Sequence, residues 1–263
     1  AKGSAVTLTA DGAEIWYTLD GSCPKAAGAK KYTGPITINR ATTLRAVAVV
    51  DRVFGSVSTW KLTVSGGGGG GGGALPQEPE TPFTDVSQQS WYYNAVQYVY
   101  ENGLMAGTSA ATFEPNATLS RGMVAQILYN LEGQPTVEGE SAFTDTNTHW
   151  AAKAIAWAQK NGVVSGYENN IFRPNKAVTR EELAQMLYNY AQHKGYDLTS
   201  TGDLTRFPDG NSVSVWAETA MAWANGKALI NGFEDNTLQP GGNSTRAQAA
   251  SILMKFDQNL VEN

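Results

Sequence analysis

Three arginines carry the most pointed chemistry in this chain. Arg121, Arg180 and Arg246 each follow a hydroxyl residue, in Ser120-Arg121-Gly122-Met123, Thr179-Arg180-Glu181-Glu182 and Thr245-Arg246-Ala247-Gln248. A Ser or Thr there reads as a helix N-cap. Glu182 or Gln248, three residues on, can reach back to close a capping box, while Met123 supplies no reciprocal acid. Capping explains the hydroxyls and the acid or amide but not a cation at the first helical position. The macrodipole is already positive there and opposes a further cation by up to about 1 kcal/mol. An anion sharing the site would account for the recurrence, because helix-terminal N–H groups and a forked guanidinium converge on one carboxylate or phosphate. The competing reading is an internal salt bridge, with the carboxylates of a Phe-x-Asp mark as partners.

These arginines are one mark of a repeat. When Trp91, Trp150 and Trp216 are aligned, Gly107, Gly166 and Gly232 fall at one fixed offset and Phe113, Phe172 and Leu238 at the next. Pro115, Pro174 and Pro240 follow, and then the arginines. Upstream of each Trp lies Phe-x-Asp: Phe83/Asp85, Phe143/Asp145 and Phe207/Asp209. Marks at fixed offsets in three copies define a triplicated unit.

Each unit reads as helix, loop, helix. The stretch from Trp91 puts Ala95, Val96, Val99 and Tyr100 on one face and stops at Asn102-Gly103. The second copy repeats this with Ala154, Ile155, Ala158 and Asn161-Gly162. The third departs, with Asn225-Gly226 early and Ala228 where the others have Gly. The second helices start at Ser120, Thr179 and Thr245. One unit is too small to bury its own apolar faces, so the three must pack together.

Ahead of the repeats, residues 1–64 read as all-β. Strands are expected from Ala5, Glu14, Ile36, Thr43 and Val57, with turns at Asp11-Gly12, Asp20-Gly21, Gly34-Pro35 and Gly55-Ser56. A small β-sandwich follows from that spacing. Residues 65–82, eight glycines and a Pro/Glu segment, form a linker. The repeats then occupy 83–134, 143–195 and 207–258.

The remaining marks each have two readings. The tryptophans serve either as aromatic anchors burying a large area, the preferred reading, or as sugar-stacking platforms. Asp85, Asp145 and Asp209 cap or turn the chain, and direct ligand contact is the second choice. The glycines satisfy a positive φ or a close backbone approach, or expose N–H groups to a ligand.

Composition closes several classes. The 263 residues include only Cys23 and two histidines, so neither a disulfide framework nor a zinc cluster is expected. A net charge of -5 argues against nucleic acid as the main partner. No stretch is long and apolar enough for a membrane span. Acid spacing gives no calcium loop, and no metal or cofactor is expected. The chain opens at Ala1 without Met and reads as a fragment of a longer protein, any export signal lying outside it.

On these residues the repeats resemble three S-layer homology (SLH) domains, whose signature is Thr-Arg-Ala-Glu at the start of the second helix. The first part resembles the C-terminal β-sandwich of chitobiase and β-hexosaminidase, through the stretches at Ile15, Tyr32 and Thr43. The resemblance implies a pseudo-threefold assembly of the repeats around a central helical bundle. It also implies grooves between repeats that bind acidic, typically pyruvylated, secondary cell-wall polysaccharide on a Gram-positive-type cell wall. Arg121, Arg180 and Arg246 become anion contacts, Gly107, Gly166 and Gly232 backbone contacts, and Trp91, Trp150 and Trp216 groove walls. The departures at Met123 and Gln248 imply unequal grooves. The function expected is non-catalytic anchoring of an exported surface protein. The alternatives are a self-assembling lattice protein or adhesin contacting other surface proteins, and a glycosidase. For the last, the scattered acids offer no carboxylate pair.

Overall fold

The computed structural model describes residues 4–10, 12–21, 24, 29–50, 53–62 and 81–261. Cys23, Asp11 of one expected turn and the glycine run of the linker lie outside the described residues.

The first part is built of antiparallel strands. These are β1 (Ser4–Val6), β2 (Glu14–Thr18), β3 (Lys30–Lys31), β4 (Ile36–Ile38), β5 (Thr42–Val50) and β6 (Val53–Leu62). β1 pairs with β4, and the second sheet runs β3-β2-β5-β6. Strand β4 shows the two-residue alternation plainly, burying Ile36 and Ile38 and exposing Thr37. Those two isoleucines and Leu44 of β5 form a small shared core, with Tyr17, Tyr32 and Leu62 packed against it.

Two expectations need correction here. Gly55-Ser56 is not a turn. The register pairs Val50 with Val53, so the chain reverses before it, and a shift between Val47 and Val49 places an irregularity opposite Gly55 and Ser56. Glycine inside a strand marks a bulge of this kind, and sequence alone does not tell a bulge from a turn. Strand β3 was not foreseen. Two exposed lysines carry no alternation, and only pairing with Trp16 and Tyr17 makes them a strand.

The repeats form six helices: α1 (Tyr93–Glu101), α2 (Arg121–Leu131), α3 (Ala152–Lys160), α4 (Arg180–Lys194), α5 (Glu218–Gly226) and α6 (Arg246–Phe256). Of the expected apolar faces, Ala95, Val96 and Val99 on α1 and Ala154, Ile155 and Ala158 on α3 are buried, while Tyr100 is half-buried and packs against the edge of the core. The Ser120, Thr179 and Thr245 hydroxyls each accept a hydrogen bond from the third residue of their helix at 3.2 Å. The return bond comes from Thr179 N–H to Glu182 at 3.0 Å and from Thr245 N–H to Gln248 at 3.1 Å. In the first unit the Met123 sulfur takes that place, at 3.5 Å from Ser120 N.

Packing joins units rather than closing each one. The second helix of a unit lies against the first helix of the next: α2 on α3, α4 on α5, and α6 back on α1. Just ahead of the arginines, backbone hydrogen bonds run in a closed ring. Leu119 N–H donates to Ser244 O, Ser244 N–H to Val178 O, and Val178 N–H to Leu119 O, at 2.8 to 3.0 Å. All three residues are fully buried.

The departure in the third copy has a backbone consequence. Gly103 and Gly162 stand just past α1 and α3 with φ of 67° and 69°, and Ala228 adopts φ 55° at the matching place. Alanine tolerates this left-handed conformation poorly and glycine freely. Ala228→Gly should therefore stabilise the repeats by about 1 kcal/mol, read as a higher thermal midpoint. A lower midpoint would show that the side chain itself holds the turn.

Candidate functional site

The Phe-x-Asp and glycine marks form one device. Both oxygens of each aspartate accept backbone N–H groups from the loop ahead of the proline. Asp85 holds Phe113 and Glu114, Asp145 holds Phe172 and Arg173, and Asp209 holds Leu238 and Gln239, all at 2.7 to 2.9 Å. The second residue of each pair has positive φ: Glu114 56°, Arg173 58°, Gln239 49°. Non-glycine residues rarely adopt this conformation, and the two-pronged clamp offsets its strain. Burial raises the Asp209 carboxyl, but the Leu238 and Gln239 N–H groups outweigh it and hold the group below its ordinary range.

The glycines sit against the phenylalanines of the same marks. A Cβ on Gly107 would lie 2.5 Å from Phe83 Cε1 and 2.6 Å from Thr112 O, and one on Gly232 2.6 Å from Phe207 Cε1. Gly166 meets Phe143 in the same way. Close approach, not positive φ, requires glycine here.

Each arginine reaches into the following unit, where it binds carbonyls rather than the Phe-x-Asp carboxylates. Arg121 donates from Nε to Phe172 O and from Nη2 to Ser165 O. Arg180 donates likewise to Leu238 O and Asn231 O, and Arg246 to Phe113 O and Ala106 O, all at 2.7 to 2.9 Å. Unit three thereby returns to unit one. The first two N–H groups of each helix also bind the following unit: Arg121 N to Lys176 O and Gly122 N to Pro174 O, with matching bonds at α4 and α6. With the third N–H on its cap, the helix ends have no backbone donors left for an anion. Gly122 is explained as well. A Cβ there would meet His149 Cε1 at 2.9 Å and Pro174 O at 3.0 Å.

What remains is one corner of each fork. Nη1 of Arg121 faces Glu182 Oε1 at 3.5 Å. On Arg180 and Arg246, Nη1 has no acceptor among the described residues. Both arginine residues are about 5% exposed. Burial pushes Arg180 down to about 10 against the charge of Asp209, and lowers Arg246 against Glu114 and Asp85. Both stay cationic at neutral pH.

The tryptophans overturn the preferred reading. Trp91, Trp150 and Trp216 are 67%, 62% and 55% exposed, so they anchor nothing in the core. Trp150 and Trp216 line grooves instead. One groove, about 490 Å³, is bounded by Arg121, Gly166, Tyr167, Glu182, Gln185 and Trp216. A second of about 490 Å³ is bounded by Arg246, Gly107, Met123, Gln126, Asn130 and Trp150. Each draws its arginine from one unit, its walls from the next and its tryptophan from the one after.

Sequence reading missed Tyr167 and Lys176. Burial alone would raise Glu182, but hydrogen bonds from Tyr167, Thr179 and Lys176 and the charge of Arg121 hold it low. Lys176 Nζ lies 2.9 Å from Glu182 Oε1 and 3.0 Å from the Tyr167 hydroxyl. No repeat mark pointed to either residue, because the other copies place Thr108, Phe233, Ala117 and Gly242 at those positions.

The S-layer homology domain model matches at residues 82–122, 142–184 and 206–250. The chain carries three S-layer homology domains. The chitobiase/beta-hexosaminidase C-terminal domain matches residues 1–59. Similar proteins include an endoglucanase of Bacillus sp. (strain KSM-635), 32% identical over 65% of this chain and 18% of its own length. The surface-layer 125 kDa protein of Lysinibacillus sphaericus is 31% identical over 71% of this chain and 16% of its own. The cellulosome-anchoring protein of Acetivibrio thermocellus is 27% identical over 57% and 34%. The chain thus spans at most about a third of these relatives. S-layer homology domains shared with S-layer and anchoring proteins mark a cell-wall-anchoring part of a surface protein. Among the described residues, no helix is long and apolar enough to cross a membrane.

Proposed function

We propose that this chain is a non-catalytic anchor holding an exported protein to a Gram-positive-type cell wall. Its three SLH domains form a pseudo-threefold body closed by the Leu119–Ser244–Val178 ring, with α2, α4 and α6 at the centre. Acidic wall polysaccharide docks in the grooves between them. The observation carrying this reading is a buried guanidinium with one free corner at the side of a groove rimmed by an exposed tryptophan. A sugar ring can stack on the indole while a ketal carboxylate takes the free N–H. Asp85, Asp145 and Asp209 shape the loops and leave the ligand contacts to the arginines, glycines and tryptophans.

The test is a calorimetric titration with a methyl hexoside bearing a cyclic pyruvate ketal, beside the ketal-free glycoside. The ketal form should bind, its affinity should fall as salt rises, and removing the ketal should weaken it about tenfold or more. Binding indifferent to both ketal and salt would sink the anchor reading and favour repeats that make protein contacts.

A further inference from the structure

Asparagine followed by glycine is prone to rearrange without a catalyst, because glycine has no side chain to hinder attack of its backbone nitrogen on the asparagine amide carbon. The chain has four such pairs: Asn102-Gly103, Asn161-Gly162, Asn225-Gly226 and Asn231-Gly232. Three of them are locked. Asn102 and Asn161 stand at the ends of α1 and α3, where each Nδ2 donates to a helix carbonyl, Tyr98 O at 3.0 Å and Trp157 O at 2.8 Å. Their ψ of 3° and 9° keeps Cβ away from the following nitrogen, which ring closure must bring eclipsed with it. Those nitrogens are also committed, Gly103 N–H to Tyr100 O and Gly162 N–H to Gln159 O. Asn225 is buried in the last turn of α5, its Nδ2 on Ile230 O and its Oδ1 accepting from Arg206.

Asn231-Gly232 differs on each count. Asn231 is exposed in the loop beyond α5, and its Nδ2 reaches only Ala228 O, at 3.4 Å. Gly232 N–H makes no hydrogen bond among the described residues. The carbonyl between the two residues accepts Arg180 Nη2 at 2.8 Å. When Gly232 N loses its proton, the negative charge spreads through the peptide group onto that oxygen. A guanidinium already aimed there stabilises the charge as it develops. The matching arginines hold Ser165 O ahead of Gly166 and Ala106 O ahead of Gly107, where no side-chain amide stands to be attacked.

We infer that Asn231 is a site of spontaneous deamidation, promoted by Arg180. Solvent takes the Gly232 N–H proton, and the nitrogen forms a bond to Asn231 Cγ. The Cγ–Nδ2 bond breaks, and Nδ2 leaves as ammonia with a proton from water. Water then opens the succinimide at either carbonyl, giving aspartate or isoaspartate. Either product adds a negative charge at the joint between the second and third SLH domains.

Ageing the protein tests this. The folded 263-residue chain is incubated in mildly alkaline buffer and digested, and its peptides are sequenced by mass spectrometry, with isoaspartate tagged by enzymatic methyl transfer. A synthetic peptide of residues 229–235 supplies the rate without Arg180. Asn231 should convert in the folded chain at least as fast as in the peptide. It should also convert about tenfold or more faster than Asn102, Asn161 and Asn225, which must first open a hydrogen bond. Asn231→Ser should keep the fold, since the second unit carries Ser165 at the matching place with the same arginine bond. It should also abolish the acidic species that accumulates on isoelectric focusing. Conversion at Asn231 no faster than at the other three asparagines overturns the assignment. Conversion slower than in the peptide overturns the part given to Arg180.

Discussion

Arg180→Ala should cost the repeats about 3 kcal/mol or more of stability before any ligand is added. Truncation removes the Nε bond to Leu238 O and the Nη2 bond to Asn231 O, both at 2.8 Å, and leaves two carbonyls of the third unit without donors. Leu238 is fully buried, so its unsatisfied carbonyl costs about 1–3 kcal/mol; the carbonyl of exposed Asn231 costs less because water reaches it, and the vacated space beside the Phe233 ring adds to the total. Lysine would recover little, because one ammonium on a flexible stem cannot span two carbonyls in fixed fork geometry. A thermal melt monitored on the tryptophans of the repeats reads this directly, and a variant melting like its parent would refute the staple role. The consequence for binding work is practical. Polymer binding lost in Arg180→Ala therefore reports a broken inter-unit joint as much as a missing anion contact.

Gly107→Ala is expected to have the second-largest effect, a loss of about 3 kcal/mol. The added methyl would meet two backbone carbonyls, Ser109 O and Thr112 O, and the Phe83 ring. A ring can swing aside, whereas carbonyls in a tight loop move only with their chain. Here that chain is pinned at Phe113 and Glu114 by Asp85. Gly166→Ala should be milder, because two of its three close neighbours are atoms of the movable Phe143 ring. Gly241→Ala provides the control, with nothing within 4 Å of the added carbon and no positive φ. If Gly107→Ala melts with Gly241→Ala, the close approach is not what selects glycine.

Much of the architecture is local and therefore readable in order of residues. Helix faces follow from the spacing of Ala95, Val96 and Val99, and starts from the hydroxyl at Ser120, Thr179 and Thr245, because a periodicity of 3.6 and a cap are properties of a few consecutive residues. The repeat was legible for the same reason, since fixed offsets need no third dimension. Gly55-Ser56 resisted, because only pairing with β5 distinguishes a bulge from a turn.

The three units, their helices and the arginine at each helix start are legible in the order of residues alone. Tertiary structure alone decided what those arginines touch. Their partners lie 44 to 140 positions away, on the following unit, and include main-chain carbonyls that carry no residue-specific signature. It also turned the tryptophans outward and joined each Phe-x-Asp to its glycine. The grooves exist only because no unit can bury its own apolar faces. Three must close on one another, and the joints that this closure creates are where an uncommitted guanidinium and an exposed indole meet.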